Sequence, residues 1–363
     1  MSINQALILG IDGETLAQHE VELIKKVQPG GFILFGRNIK GPQQLRNLVD
    51  SLYELSKIPP LVCIDQEGGR VARLREIGQE PASAKELVDF GTLSDISLHG
   101  KLTGRLLRQF GINLDLCPVL DISYEGDLDN SLKNRCYGYT PEQVVSNARA
   151  FNDALRFEKI YSCGKHFPGY SRAVIDPHHE LPNIERSREE LESWEWIPFR
   201  KLVSEVDFQM IGHAFYPKLN SSPLPSSLNP YFIQKLLIED LGFKGLVMTD
   251  DLDMGAIINA FSLKRACELA LQAGNHFVLL CHRNHLANEA LEGIANCDRA
   301  LQNKIAETIL EFKSKMPARE SFSMQEFDHL NLETFKLRAR LVGETKARDK
   351  TIEDAKRSPV EKY

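Results

Sequence analysis

The sequence contains no C-x-x-C pair: its seven cysteines, at positions 63, 117, 136, 163, 267, 281 and 297, form an odd and scattered set. This excludes a disulfide framework and a cysteine-rich zinc site, and leaves the thiols as small buried hydrophobes. No stretch approaches the roughly 18 to 20 consecutive apolar residues that a membrane helix needs. The opening MSINQALILGIDGETL carries neither a basic n-region nor a cleavage pattern, so a soluble, cytoplasmic protein is expected. Basic clusters are absent too. With 44 Lys and Arg against 50 Asp and Glu the net charge is −6, the pI is about 6.0, and nothing offers a nucleic-acid backbone an electrostatic footprint. Also missing are a P-loop, a G-x-G-x-x-G, an H-E-x-x-H and any short repeat or low-complexity tract.

What is present is an ordinary globular composition, 42% hydrophobic and 26% charged. A chain of 363 residues fits one large domain or two ordinary ones, and α/β barrels run to this length as one unit. Short β-rich apolar runs alternate with longer amphipathic stretches. The candidate strands are ALILG (6–10), GFILF (31–35), LVCID (61–65), INLDLCPVL (112–120), IYSCGKHF (160–167), FQMIGHA (208–214), GLVMTD (245–250) and HFVLL (276–280). Helices are expected over 14–27, 42–57, 95–110, 141–157, 187–205, 230–240, 262–273 and 284–296. Pro42 and Pro141 suit first turns, and Asn229 before Pro230 reads as an N-cap. Apolar strands with helical crossovers imply parallel pairing under a helical cover. Eight such units predict a (β/α)8 TIM barrel over residues 1–315, with an open doubly wound sheet as the alternative. Residues 316–363 lose the rhythm and read as a C-terminal helical extension and a solvated polar tail.

In a parallel barrel the site lies where strands end and βα loops begin. The third candidate strand ends at Asp65 and runs into QEGGRVAR; the fourth leads to Asp121 and a loop holding Arg135. The fifth ends in Lys165 and His166, the sixth in His213, the seventh in Asp250 and Asp251, the eighth in Cys281 and His282. Ionisable groups are costly to bury, so their recurrence at one end of apolar strands indicates a shared polar pocket. Singly, His213 or His282 reads equally well as a hydrogen-bonded packing histidine, and Cys281 as core.

The stretch KHFPGYSRAVIDPHHELP (165–182) concentrates three of the ten histidines. Asp176, ahead of Pro177, is held extended, and residues two apart in an extended segment share a face, so Asp176 and His178 can meet. A carboxylate beside an imidazole fixes its tautomer and gives a proton carrier suited to neutral pH. His179 points the other way and takes a structural role. The bland alternative for DPHH is a turn whose Asp bonds backbone amides. GYSRA half-matches a nucleophile elbow but follows a Pro-Gly turn.

Two chemistries fit. A metal-dependent barrel hydrolase could use His166, His213 and Asp250 around zinc, but ALILGID lacks the His-x-His pair that would complete the ligands. A retaining glycosidase needs a carboxylate nucleophile and a second group to protonate the leaving oxygen; Asp250 and the His178–Asp176 pair supply these, although parity leaves Asp250 and Asp251 undistinguished.

The stretches GGFILFGRNI, IDQEGGRVARL, GINLDLCPVLDI, KHFPG followed by DPHHELP, MIGHAFYP and PSSLNPYFIQKLLIEDLGFKGLVMTDDLDMGAI occur in one order. In them the chain resembles the glycoside hydrolase family 3 β-N-acetylhexosaminidases of the peptidoglycan-recycling (NagZ) type. The resemblance implies a barrel without metal or nucleotide cofactor. It implies Asp250, first Asp of TDDLDM, as nucleophile and His178, paired with Asp176, as acid/base. By motif, Asp65, Arg73, Arg135, Lys165 and His166 would hold the terminal sugar. The chain departs from the family's KHFPGHGDT and DSH at Tyr170, Ser171, Arg172, Ala173 and Pro177, has His276 for a usual acidic residue, and has RCYG for RSFG. These departures bear on rate, acceptor and preferred sugar.

The expected activity is that of an exo-acting, retaining β-N-acetylglucosaminidase on a small carbohydrate, a GlcNAc-containing glycoside or muropeptide. No cofactor, metal, nucleic acid or membrane partner is expected, and the protein is expected to be a monomer. Phosphorolysis in place of hydrolysis, another family 3 β-glycosidase, and a catalytically silent sugar-binding barrel are the alternatives.

Overall fold

The computed structural model describes residues 2–124, 131–171, 173 and 177–351. Its strands are β1 (Leu7–Gly10), β2 (Gly31–Leu34), β3 (Leu61–Ile64), β4 (Gln66–Gly68), β5 (Val71–Ala72), β6 (Leu114–Asp115), β7 (Tyr161–Phe167), β8 (Phe208–Ile211), β9 (Leu246–Asp251) and β10 (Phe277–Leu280). All but β4 and β5 form one closed parallel barrel in the order β1-β2-β3-β6-β7-β8-β9-β10, with β10 returning to β1. The eight candidate strands are therefore the eight barrel staves. Every residue of β1, β2, β3, β8 and β10 is buried, as the unbroken apolar runs require when helices cover the outside and side chains fill the inside. No helix among the described residues is long and apolar enough to cross a membrane.

Local chemistry sets the helix ends. Pro141 opens the helix Pro141–Phe157, and the Thr140 side chain accepts from the Gln143 amide. Asn229 Oδ1 accepts from the Tyr231 N–H at 3.1 Å at the start of Tyr231–Asp240. The helix expected over 187–205 is two, Arg188–Ser193 and Trp196–Leu202. Pro198 explains the break: in one continuous helix its ring would meet the carbonyl of Trp194, and the restart puts it in a first turn instead.

Among the described residues, two helices longer than a single turn were not anticipated, Ala84–Phe90 and Arg299–Lys313. The second ends in Lys313, whose Nζ donates to Gln5 Oε1 at 2.7 Å and to the Gly30 carbonyl under the barrel; burial pushes its pKa down to about 7. The helix of the C-terminal segment, Met324–Val342, is docked rather than merely superficial. It buries Phe327, Leu330 and Leu337, and its Arg338 pairs with Glu80 and Glu86. The tail from 352 lies outside the described residues.

β4 and β5 form a small antiparallel hairpin on the far end of β3. Its turn explains the glycine pair in QEGGR: Gly68 and Gly69 have φ of 118° and 53°, and a Cβ on Gly68 would lie 2.1 Å from the Ala82 carbonyl oxygen.

Candidate active site

One pocket lies at the C-terminal ends of the strands, bordered by Asp65, Arg135, Lys165, His166, Tyr170, His178, Asp250 and Asp251 with apolar walls from Ile33, Phe35, Leu116, Met210, Met254 and Leu279. Two consecutive pairs, Lys165–His166 and Asp250–Asp251, both face it, which strict strand alternation forbids. The registers resolve this. β7 advances from Gly164 to Phe167 while β8 advances only from Gln209 to Ile211, and β9 advances from Met248 to Asp251 while β10 goes from Phe277 to Leu279. Each strand therefore carries one extra residue, a bulge that re-aims side chains at the barrel rim.

A buried charge network forms one wall. Lys165 Nζ lies 2.7 Å from Asp65 Oδ1 and 2.7 Å from Glu67 Oε1. Arg135 grips Glu67 with two N–H groups, Nε to Oε2 at 2.8 Å and Nη2 to Oε1 at 2.7 Å. Burial alone would raise the Glu67 carboxyl, but Arg135 and Lys165 outweigh it and hold it well below the usual range. Asp65 is lowered likewise, burial being outweighed by Lys165 and Arg73. Burial works against the charged form of Lys165 as well, and Asp65 and Glu67 overcome it, so the ammonium is held above its ordinary value. All of these groups are thus held in their charged forms, and a ligand entering the pocket meets fixed charges. Arg73 is buried and does not border the pocket; its Nη2 is 3.4 Å from Oδ2 of Asp65, which does.

A second wall is built on Asp121, at the end of the stave that contains β6. Its Oδ2 bonds His166 Nδ1 at 2.8 Å and accepts the His166 amide at 2.9 Å, and its Oδ1 accepts the Tyr170 amide at 2.6 Å. Tyr170 stacks on His166 with ring centroids 5.0 Å apart, and its hydroxyl accepts from the His213 backbone N–H. The altered loop residue is thus part of the wall; Ser171 is also fixed, its Oγ accepting the Ile122 amide at 2.8 Å.

His213 is unsuited to bind a metal. Its Nε2 is 2.9 Å from the Asp251 carbonyl, which can only accept, so Nε2 carries the proton and Nδ1 accepts from Ser227 Oγ at 2.6 Å. Both nitrogens are occupied, which removes a ligand from the zinc set considered above. The one possible cation cluster among the described residues, Asp12, His19 and Glu20, does not border the pocket.

The two aspartates after Thr249 separate clearly. Asp251 is buried, with Oδ1 accepting from Asp253 N at 3.0 Å and Cys281 N at 3.2 Å, so it ties β9 to the end of β10. Burial and the neighbouring Asp253 and Asp250 push its carboxyl well above the ordinary range. Asp250 is only partly buried, and its Oδ1 accepts from the Asp251 amide at 2.8 Å. Of these two carboxylates, both bordering the pocket, Asp250 is the more open.

His178 reaches the pocket because its loop is pinned to the segment after β9. The Gly255 N–H donates to the His178 carbonyl at 3.0 Å and the Ala256 N–H to the Pro177 carbonyl at 3.2 Å. Only a glycine admits this approach, since a Cβ at 255 would lie 2.2 Å from the His179 oxygen. His179 is exposed, its carbonyl held by Asn259 Nδ2 at 3.0 Å. Asp176, the expected partner of His178, and Arg172 lie outside the described residues. Glu67, Tyr170 and Gly255 were not among the expected site residues. Glu67 was legible only as the second acid of DQEGGR, and Gly255 only as the glycine closing TDDLDMG. His276 is remote from the site, at the entry end of β10, where its Nδ1 accepts the Val247 amide at 3.0 Å.

A closed parallel barrel with carboxylates and histidines gathered at its strand ends, and a match of residues 3–310 to the glycosyl hydrolase family 3 N terminal domain, define a glycoside hydrolase. The chain belongs to that family. It is 33% identical over 308 residues to a beta-hexosaminidase of Alkalilimnicola ehrlichii, covering 80% of this chain and 85% of the relative. A beta-hexosaminidase of Haemophilus influenzae is 32% identical, with 80% and 83% covered. Among solved structures, NagZ from Neisseria gonorrhoeae in complex with N-trifluoroacetyl-D-glucosamine aligns with a TM-score of 0.79 at 26% identity, covering 95% of this chain and 98% of that one. A family 3 beta-N-acetylglucosaminidase from Paenibacillus sp. str. FPU-7 aligns at 0.83 and 27%, covering 92% and 68%.

Proposed function

We propose that the protein is an exo-acting, retaining β-N-acetylglucosaminidase that removes terminal non-reducing GlcNAc from small glycosides, muropeptides among them, as a cytoplasmic monomer. The observation that carries this reading is the pairing in one pocket of a partly buried carboxylate, Asp250, with a loop-borne imidazole, His178. The relatives named beta-hexosaminidase and the likeness to a NagZ holding a glucosamine derivative support the substrate class.

An Asp250 oxygen attacks carbon one of the sugar as the bond to the leaving oxygen breaks, and protonated His178 delivers its proton to that oxygen. A covalent glycosyl ester remains. Neutral His178 then takes a proton from water, whose oxygen displaces the Asp250 carboxylate at the same carbon, so two inversions return the β configuration. Asp176 is assigned the task of fixing the His178 tautomer. Asp65, Lys165, Arg135 and His166 take the sugar hydroxyls and acetamido group, where charge-assisted hydrogen bonds discriminate against sugars lacking them.

The test is turnover of a chromogenic β-GlcNAc glycoside by wild type and Asp250→Ala, with the anomer of the first product read by NMR. Turnover by wild type alone, with a β product, is expected; an α product overturns retention. Sugar binding without wild-type turnover would instead identify a silent binding barrel. His178→Ala should slow poor leaving groups far more than activated ones, and a uniform loss would remove it as the acid.

A further inference from the structure

His282, the residue that follows Cys281 beyond the end of β10, has no part in the chemistry above, yet its surroundings are specific. Its Nδ1 lies 3.0 Å from Arg37 Nη1, while Arg37 Nη2 and Nε donate to the Cys281 and Ile11 carbonyls at 2.6 and 2.9 Å. A guanidinium has no acceptor, so Nδ1 must accept and the imidazole proton sits on Nε2. That nitrogen faces Asp251 Oδ2 at 3.6 Å. Oδ2 is buried and accepts no hydrogen bond among the described residues, whereas Oδ1 of the same carboxyl is fully engaged with Asp253 N and Cys281 N. The ring also packs on Phe35, with centroids 4.9 Å apart, and Phe35 borders the pocket.

We propose that His282 is a positioning residue for the Asp250 carboxylate, acting through Asp251, with its proton kept on Nε2 by Arg37. The link is short. The backbone N–H of Asp251 donates to Asp250 Oδ1 at 2.8 Å, and the Asp251 carbonyl accepts from His213 Nε2 at 2.9 Å. A shift of the Asp251 carboxyl is therefore passed within one residue to the oxygen pair that attacks the sugar. Burial and the neighbouring Asp253 and Asp250 disfavour the ionised Asp251 carboxylate, and the Nε2 proton is the group aimed at Oδ2 that would favour it. The separation of 3.6 Å exceeds a hydrogen bond. Contacts of this kind shorten when a site closes on its substrate, so the donor acts in the complex more than in the free enzyme.

This inference rests on Asp250 being the nucleophile, and the experiment separates the two. Wild type, His282→Gln and His282→Met are treated with a 5-fluoro glycosyl fluoride bearing the 2-acetamido group, and the rate and site of covalent labelling are followed by peptide mass spectrometry. The two variants match in length, but only Gln keeps an N–H donor. Steady-state KM and thermal unfolding are measured on each. Expected are a label on Asp250, His282→Gln within about threefold of wild type, and His282→Met slower by about tenfold, the worth of one ordinary hydrogen bond, with KM little changed. A wild-type label on another residue overturns the nucleophile assignment. A label on Asp250 with both variants as fast as wild type, or with both equally slow, overturns the role of His282. If His282→Met unfolds near assay temperature, the His282→Gln rate alone decides, because a loss beyond tenfold in a folded variant that keeps the donor is incompatible with the proposal.

Discussion

Replacing Glu67 by Gln removes one charge from a buried set of four, Asp65 and Glu67 against Lys165 and Arg135, while keeping the shape of the side chain. In the wild type Glu67 takes three charge-assisted contacts of 2.7 to 2.8 Å. An amide oxygen can replace one of them, but the amide nitrogen then points its protons at Arg135 or Lys165. Removing one partner of a buried ion pair costs about 3–5 kcal/mol, because the other charge is left without compensation. The expected loss of stability at pH 7 is of that size. It should come with a several-fold rise in KM, since Lys165 and Arg135 are freed to turn on Asp65, which borders the pocket. The pH dependence follows in sign from the depressed Glu67 carboxyl. A folded-state value below the unfolded value of about 4.3 contributes stability that is complete above that pH and is lost as pH falls toward the folded value. The stability gap between wild type and Glu67→Gln should therefore narrow on acidification. Urea unfolding followed by circular dichroism at pH 7 and pH 4, with KM from the chromogenic assay, measures both effects. A loss under about 1 kcal/mol at pH 7 with an unchanged KM would show that the network is not coupled as its geometry implies.

Two further predictions concern residues outside the proposed chemistry. Gly255→Ala sets a methyl 2.2 Å from the His179 oxygen, so the loop bearing His178 must leave its dock; turnover of poor leaving groups should fall at least about tenfold, with near-normal unfolding. Retained turnover would mean that the docked loop is not the working one. Asp115 is buried, with Oδ1 accepting the Gln66 amide at 3.0 Å, and burial pushes its carboxyl up to about 8. The folded protein then keeps a proton that the unfolded chain loses near pH 4, so this group lowers stability as pH rises from about 4 to 8. Asp115→Asn should flatten that decline in urea titrations across the same range, and an unchanged slope would place the titration elsewhere.

Much of the architecture was legible because it rests on short-range rules. Apolar runs buried on both faces can only be staves of a covered parallel sheet, Pro141 suits a first turn because it has no N–H to leave unpaired, and Asn229 marks a helix start by accepting a backbone N–H. The helix Arg299–Lys313 was not legible, since its amphipathic pattern says nothing about the barrel floor it closes, and neither was the break forced by Pro198 between two short helices.

For the site, the sequence by itself determined which chemistry arrives at the rim: a stave ending in Asp65, another in Lys165 and His166, another in two aspartates, and a histidine loop between them. Which side chains border the common pocket was decided only by the tertiary structure. That Asp251 is the buried member of the pair and Asp250 the more open one goes with a bulge between β9 and β10, a relation between two strands that period-two alternation within one strand cannot express. Glu67 became central because residues remote in the chain, Arg135 and Lys165, fold against it, and the bare motif DQEGGR contains neither. His178 likewise borders the same pocket as Asp250 because its loop is held by backbone bonds from Gly255 and Ala256, about 80 residues further along. Proximity across such distances is a property of the folded barrel, whereas residue type and local spacing are properties of the chain.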